Sequence, residues 1–332
     1  MKTILLLTII ALTWLTACKK QYVPIEKESA IEKTIDINVI IDSDDTTIKD
    51  FGFDSQNNMW VATDKGMVMI SGFDSEVYPY PNNDSYSILI NSLSIDLEDN
   101  IWLTSSAGIL LMPNNNSQFT LYNSENGMIP SNNTSKIFCD SESCKYFVHQ
   151  YGVSKFENGV WLEDERFPEL SNFEDIDSIS FNNRKSIIIE KDDYFLISTF
   201  NGIFKYKNDT TFEMLNYSSS NNEIYAHAIY LDNTNTIWLQ EGTPAIFSVI
   251  NDTWSQFLYK GNLTVTGDFI VSINYSENGS EIQFFRNGEW TNLSNQYFNK
   301  LSSFYKIRSD KFGHLWFSNN NMIYKIKPDF FL

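Results

Sequence analysis

Short apolar runs separated by polar turns recur along this chain at a nearly constant interval. In Asp50–Ile70, DFGFDSQNNMWVATDKGMVMI, one run ends at Asp54, a polar turn follows, a second run carries Trp60, and Gly66 opens a third. LSIDLEDNIWLTSSAGILLM, Leu93–Met112, and IRSDKFGHLWFSNNNMIYKI, Ile307–Ile326, repeat the arrangement. Runs this short, rich in β-branched and aromatic residues and bounded by Asn, Asp and Gly, predict strands. The Trp-bearing run is apolar on both sides: Met59 and Val61 alternate with Trp60, and Ile101 and Leu103 with Trp102. A sheet with one wet face would alternate apolar and polar residues, so these sheets are expected to be covered on both faces.

Aligned on the aromatic of the second strand, the copies fall at Trp60, Trp102, Tyr146, Tyr194, Trp238, Tyr275 and Trp316, with gaps of 42, 44, 48, 44, 37 and 41 residues. A period of about 43 residues made of strands and Asn/Gly turns gives one four-stranded blade per repeat. The fold predicted is all-β, a seven-bladed β-propeller of four-stranded antiparallel blades. Tyr275 is placed by an ending that copies three and six share, Phe156-Glu-Asn-Gly-Val-Trp161 and Phe285-Arg-Asn-Gly-Glu-Trp290. The repeated Trp residues read as packing between blades.

The ends of the chain fit together. The last copy supplies strands at Ser303–Arg308, Leu315–Ser318 and Met322–Ile326 and lacks an outermost one. The unassigned strand-like segment is Ile35–Ile41, IDINVII. It is expected to pair with the third strand of the last copy, close the ring and remove an open sheet edge. The propeller domain is therefore read as residues 35–332.

Two copies carry D-x-x-x-N-x-W-x-x-T-x-x-G or its close variant, in Asp54…Asn58-Met59-Trp60…Thr63…Gly66 and Asp96…Asn100-Ile101-Trp102…Ser105…Gly108. This resembles the two-component-regulator propeller repeat, best in copies one, two and seven. In copy four Tyr194 replaces Trp while Thr199 and Gly202 fit, and copy five keeps Trp238. In members of that family the repeats often form the periplasmic sensor of a hybrid histidine kinase. No kinase, membrane helix or response regulator is read in this sequence, so no signalling output of its own is expected.

The first residues resemble a bacterial lipoprotein signal peptide, with Lys2, the apolar run Ile4–Trp14, and Leu15-Thr16-Ala17-Cys18 as the lipobox. The resemblance implies removal of residues 1–17 and diacylglycerol on Cys18, with residues 18–34 as a charged tether to the membrane. Lys19 and Lys20 follow, without Asp. In such lipoproteins that fits delivery to the outer membrane, here with the propeller on the periplasmic side. The acidic run that marks surface export in some Bacteroidetes-like lipoproteins is absent, and exposure at the cell surface is the alternative. The other two cysteines, Cys139 and Cys144, flank a turn in CDSESC and are expected to pair in an oxidising compartment.

Net charge narrows the partners. At −18 the chain lacks the clustered basic face that phosphate backbones require, which excludes nucleic acid. Neither a metal site nor a cofactor site is read, because the Asp-rich turns miss calcium-loop spacing and no pair of His residues has ligand spacing. The longer loops, Pro81–Asn91, Asn123–Thr134, Glu163–Ile176 and Ser218–Ile224, fall on the face that also carries the turns between second and third strands. That face is the expected ligand surface. Its candidate residues are His149, Tyr151, Arg166 and Glu241, with His227 on an inner strand as a candidate lining the central channel. His314, in the turn before Trp316, reads as structural.

No nucleophile elbow or other catalytic signature is present. The function expected is a lipid-anchored, non-catalytic envelope propeller that binds a glycan, peptide or envelope protein through its loop face, in sensing or as a complex subunit. The alternative is a propeller enzyme resembling streptogramin-lyase-like or glycan lyases, which requires a His with acidic partners at the channel mouth.

Overall fold

A computed structural model describes residues 31–326 apart from 82–87, 164–187, 215–225, 294–305 and shorter stretches between 127 and 288; for the blades between 134 and 293 it describes the strands and only part of their side chains. The described strands form seven four-stranded antiparallel sheets. Blade 1 consists of Ile48–Phe53, Met59–Thr63, Met67–Ser71 and Asp74–Tyr78, paired in sequence order from the inner strand outward. Blade 2 follows the same order in Ile90–Ile95, Ile101–Ser105, Gly108–Met112 and Thr120–Tyr122, and blade 3 in Thr134–Cys139, Lys145–His149, Gly152–Glu157 and Val160–Glu163. Blades 4, 5 and 6 begin at Ile188, Ala226 and Asn262. Blade 7 has Lys306–Ser309, Leu315–Ser318 and Met322–Ile326, and takes its outer strand from Ile31–Asp36 at the other end of the chain.

Neighbouring blades touch through their inner strands, except that the second strand of blade 3 meets the inner strand of blade 4, and the inner strand of blade 1 also touches that of blade 7, so the sheets form a closed ring. Covering both faces of each sheet is what buries its apolar runs. Val61 and Leu103 are fully buried, and the second strand of blade 2 is buried at every position. Three of the repeated tryptophans stack on rings of a neighbouring blade. Trp102 stands edge-on to Phe156 and Trp161 of blade 3, and Trp238 to Phe285 of blade 6. Trp316 packs on Phe53 of blade 1 at 5.7 Å between ring centres.

Closure occurs with the partner predicted, but through a segment shifted toward the N-terminus. Ile31–Asp36 pairs with Met322–Ile326, with Ile35 opposite Ile323 and Asp36 opposite Met322. Residues Ile37–Ile41, expected to lie in that strand, form a short helix. The reason is the length of the partner: Met322 is its first residue, so no ladder remains beyond Asp36. The Ile37 N–H donates to Asn321 O, the Asp36 carboxylate accepts from Asn38 N, and the Asn38 side chain bonds Thr46 N and Asp44 O. These bonds cap the chain into a helical turn. Residues 31–34, assigned to the tether, therefore belong to the ring.

Copy six also needs a correction. In blade 3, Tyr146 pairs with Lys155, the residue before Phe156, and Phe156 pairs with Trp161. In blade 6, Phe285 pairs with Trp290, and Phe284 pairs with Val271. Val271, fully buried, thus holds the position assigned to Tyr275. Tyr275 lies farther along the same hairpin, opposite Ser280, because the strands Phe269–Ser276 and Gly279–Arg286 run two residue pairs past the level of their blade 3 counterparts. An offset counted through that longer hairpin misses by the extra residues.

Candidate functional site

The polar residues of the repeat motif are occupied in holding turns. Asp54 Oδ1 accepts from the N–H groups of Gln56 and Asn58, and its Oδ2 from Asn58 Nδ2 and Trp60 Nε1. Asp96 repeats the pattern with Glu98, Asn100 and Trp102, and Asp310 with Phe312, His314 and Trp316. One carboxylate therefore fixes the turn between first and second strands and the indole below it, an Asx turn extended to a core ring. His314 stands where copies one and two have Asn58 and Asn100 and is structural, as expected. Burial alone would raise the Asp96 carboxyl, but bonds from Trp102 and Asn100 and the charge of Lys145 hold it below the ordinary 3.8. Asp310 is depressed likewise, by Trp316 and His314 working against burial.

The turn between second and third strands, at the opposite end of the blade, is fixed by the motif hydroxyl. Thr63 Oγ1 donates to Gly66 O and accepts from Lys65 N and Gly66 N. Ser105 donates to Gly108 O and accepts from Ala107 N.

The two ends of the ring differ in what else they carry. Every interval longer than seven residues between described strands joins an outer strand to the next inner strand, and each of these leaves and re-enters the ring at the Thr/Gly-turn face. Inner strands are also irregular toward that end. Ile48 and Asp50 pair with Thr63 and Ala62, which leaves Lys49 as a bulge. Asn91 is the extra residue in blade 2 and His227 in blade 5, and blade 3 shifts register between Thr134 and Ile137. Bulges bend a strand and re-aim a side chain, and they concentrate at barrel rims and binding sites. Among the described residues, three buried hydroxyls without a hydrogen-bond partner, Thr46, Thr134 and Ser318, sit at the same end of blades 1, 3 and 7. Such groups call for water or a ligand atom.

His227 lies on an inner strand, as expected, next to Ala226, the residue directly opposite Glu241. His149 ends the second strand of blade 3, between Thr134 and Gly152, the place that Glu241 holds in blade 5. The backbone therefore brings His227 and Glu241 to adjacent strands at one level and places His149 on the same face two blades away. Their side chains, and Tyr151 and Arg166 altogether, lie outside the described residues. Cys139 closes the inner strand of blade 3 opposite Lys145, and Cys144 is outside the described residues. Bulge positions and the longer hairpin of blade 6 had no signal in the sequence, because pairing register is not written in any single strand.

Compared by sequence, the chain matches no protein family and no curated protein. Solved structures of the same shape are numerous. The extracellular domain of a hybrid two-component system from B. thetaiotaomicron superposes with a TM-score of 0.60 at 17% identity, over 84% of this chain and 40% of that one. Virginiamycin B lyase from Staphylococcus aureus superposes with a TM-score of 0.65 at 13% identity, over 89% of this chain and 98% of that one. YCF48 bound to D1 peptide gives 0.61 at 11% identity, over 89% and 96%. The chain is a β-propeller. This propeller spans about two fifths of the two-component extracellular domain it matches and nearly the full length of the lyase. Among its described residues no helix is long and apolar enough to cross a membrane.

Proposed function

We propose that this propeller is a non-catalytic binding domain of the bacterial envelope, held by lipid on Cys18, that takes a glycan, peptide or envelope protein on its Thr/Gly-turn face. The reading includes seven blades, an outer-membrane location with the propeller in the periplasm, and a Cys139–Cys144 disulfide. The observation that carries it is the asymmetry of the ring. On one face the described first turns, those of blades 1, 2 and 7, are saturated by their own Asp, while at the other the long connections begin and end, inner strands bulge and the orphan hydroxyls lie. A rigid scaffold with its irregular backbone at one end is the arrangement in which loops recognise ligands. The test is capture from solubilised envelope and from a glycan array, comparing the parent chain with Leu89→Glu and Met128→Glu, two exposed apolar positions on that face. Loss of the captured species with these variants, and its retention with Leu97→Glu on the opposite face, supports the reading. Capture indifferent to Leu89 and Met128 overturns it.

A second reading is favoured by one placement: His227 beside the strand partner of Glu241, in a propeller that matches nearly the whole length of a virginiamycin B lyase. If His227 is a general base there, the chain is a lyase acting on virginiamycin B or a related streptogramin B, and His227→Ala abolishes the activity. Absence of turnover by the parent chain removes this reading.

A further inference from the structure

The Asp-turn face carries exposed apolar side chains on three consecutive blades. Phe73, in the turn between the third and outer strands of blade 1, is 105% exposed, the value of an unprotected side chain. Phe312 is 68% exposed and Leu97 69%, in the first turns of blades 7 and 2. The turns that hold them are tied to one another. Lys311 N donates to Asn57 Oδ1 and Lys311 Nζ to Ser55 O, and Ser55 donates from both its N–H and its hydroxyl to Asp99. Phe312 and Leu97 therefore stand on one rim, braced through blade 1. Lys33 Nζ reaches Gly72 O and ties the Phe73 turn to the closing strand.

The direction of that strand adds the second observation. Asp36 lies opposite Met322, just after the turn on the Thr/Gly side, and Ile31 lies opposite Ile326. The chain thus enters the ring at Ile31 on the Asp-turn side, the side of Phe73, Phe312 and Leu97. Twelve residues, 19–30, separate Ile31 from Cys18. Even fully extended, that length reaches about 45 Å.

We propose that the Asp-turn face of blades 7, 1 and 2 rests on the lipid bilayer, with Phe73, Phe312 and Leu97 in the interface, so that the Thr/Gly-turn face points away from the membrane. The proposal rests on the reading of Cys18 as the lipid-bearing residue. Aromatic rings favour the headgroup level, where one side is apolar and the other wet. Weak contacts suffice, because a short tether presents the face to the bilayer at an effective concentration on the order of mM. The charged groups nearby are mixed, Lys33 and Lys311 against Asp74, Glu76 and Glu98. Contact is therefore made by apolar side chains and persists at high salt.

The test uses the full chain, processed in cells, purified and placed in vesicles of neutral phospholipid with and without a headgroup-level quencher. An environment-sensitive fluorescent amino acid is introduced at position 73 or 312, or at 39 or 128 on the other face. The mass of the product reports lipidation. The expected result is a lipidated chain with blue-shifted, strongly quenched emission at 73 and 312, unchanged by salt, and unquenched emission at 39 and 128. A lipidated chain quenched at 39 or 128, or at none of the four, overturns the proposal and leaves the anchor standing. A product without the lipid mass overturns the anchor reading and the proposal with it.

Discussion

Arg308 Nη2 donates to Asp50 Oδ1 at 2.6 Å, joining the last inner strand to the first across 258 residues of sequence. The same carboxylate accepts from Leu93 N of blade 2 through its other oxygen. Asp50 is 1% exposed, so the ring is locked at its seam by a buried charge with three blades in attendance. Removing the guanidinium withdraws a charge-assisted bond from a buried carboxylate, at about 1.5–3 kcal/mol. Arg308→Ala is expected to lose stability in that range in urea unfolding. Asp50→Asn combined with Arg308→Met should cost less than the two single changes together.

Acid should loosen the Asp turns in a defined window. The Asp96 and Asp310 carboxyls lie below 3.8 in the folded chain and return to it on unfolding. Their contribution is present in full above about pH 4 and is lost as pH falls through the lower folded values. Lys145 is shifted the other way: burial lowers it, but Glu98 and Asp96 outweigh burial and hold it above 10.5. Its contribution is therefore present below that value and lost as pH rises through the folded one. Stability measured against pH should fall below about pH 4, and Asp96→Asn should flatten part of that acid limb.

Gly108 is a position that only glycine fits. Its φ is +123°, and a Cβ there would fall on the backbone oxygen of Tyr122. Strained backbone of this kind costs about 1–3 kcal/mol before the clash is counted. Gly108→Ala is expected to lose at least about 2 kcal/mol, whereas Gly313→Ala, with open space around it, pays for its φ of +78° alone. Thermal unfolding of the two variants ranks them.

Pairing at the seam can be tested by cross-linking. Lys33 lies directly opposite Lys325. Opposed residues in an antiparallel ladder are about 4.5–5.5 Å apart at Cα, within disulfide range. Lys33→Cys with Lys325→Cys should form an internal disulfide on mild oxidation, visible by peptide mass. Its absence would break the assigned closure.

The repeat made the ring legible because each copy must bury both faces of its sheet, and that demand is written in alternations such as Met59-Trp60-Val61. The Asp and Gly of the motif were legible as turn residues, and the Trp as packing between blades, because each acts within or beside its own hairpin. What depends on a distant strand was not. Asp36 ends the closing strand because Met322 begins its partner, and Tyr275 was misplaced because the blade 6 hairpin is longer than that of blade 3. His227 was placed on an inner strand by its sequence context, but its bulge, and its level beside Glu241, come from register alone.

The claim that the Thr/Gly-turn face is the working face is tested most directly by photo-crosslinking in intact cells. A photoreactive amino acid is placed at Leu89 or Met128 on that face, and at Leu97 or Phe312 on the other. Covalent adducts with a common partner from positions 89 and 128, and none from 97 and 312, are predicted. Adducts from 97 or 312 alone would contradict the account.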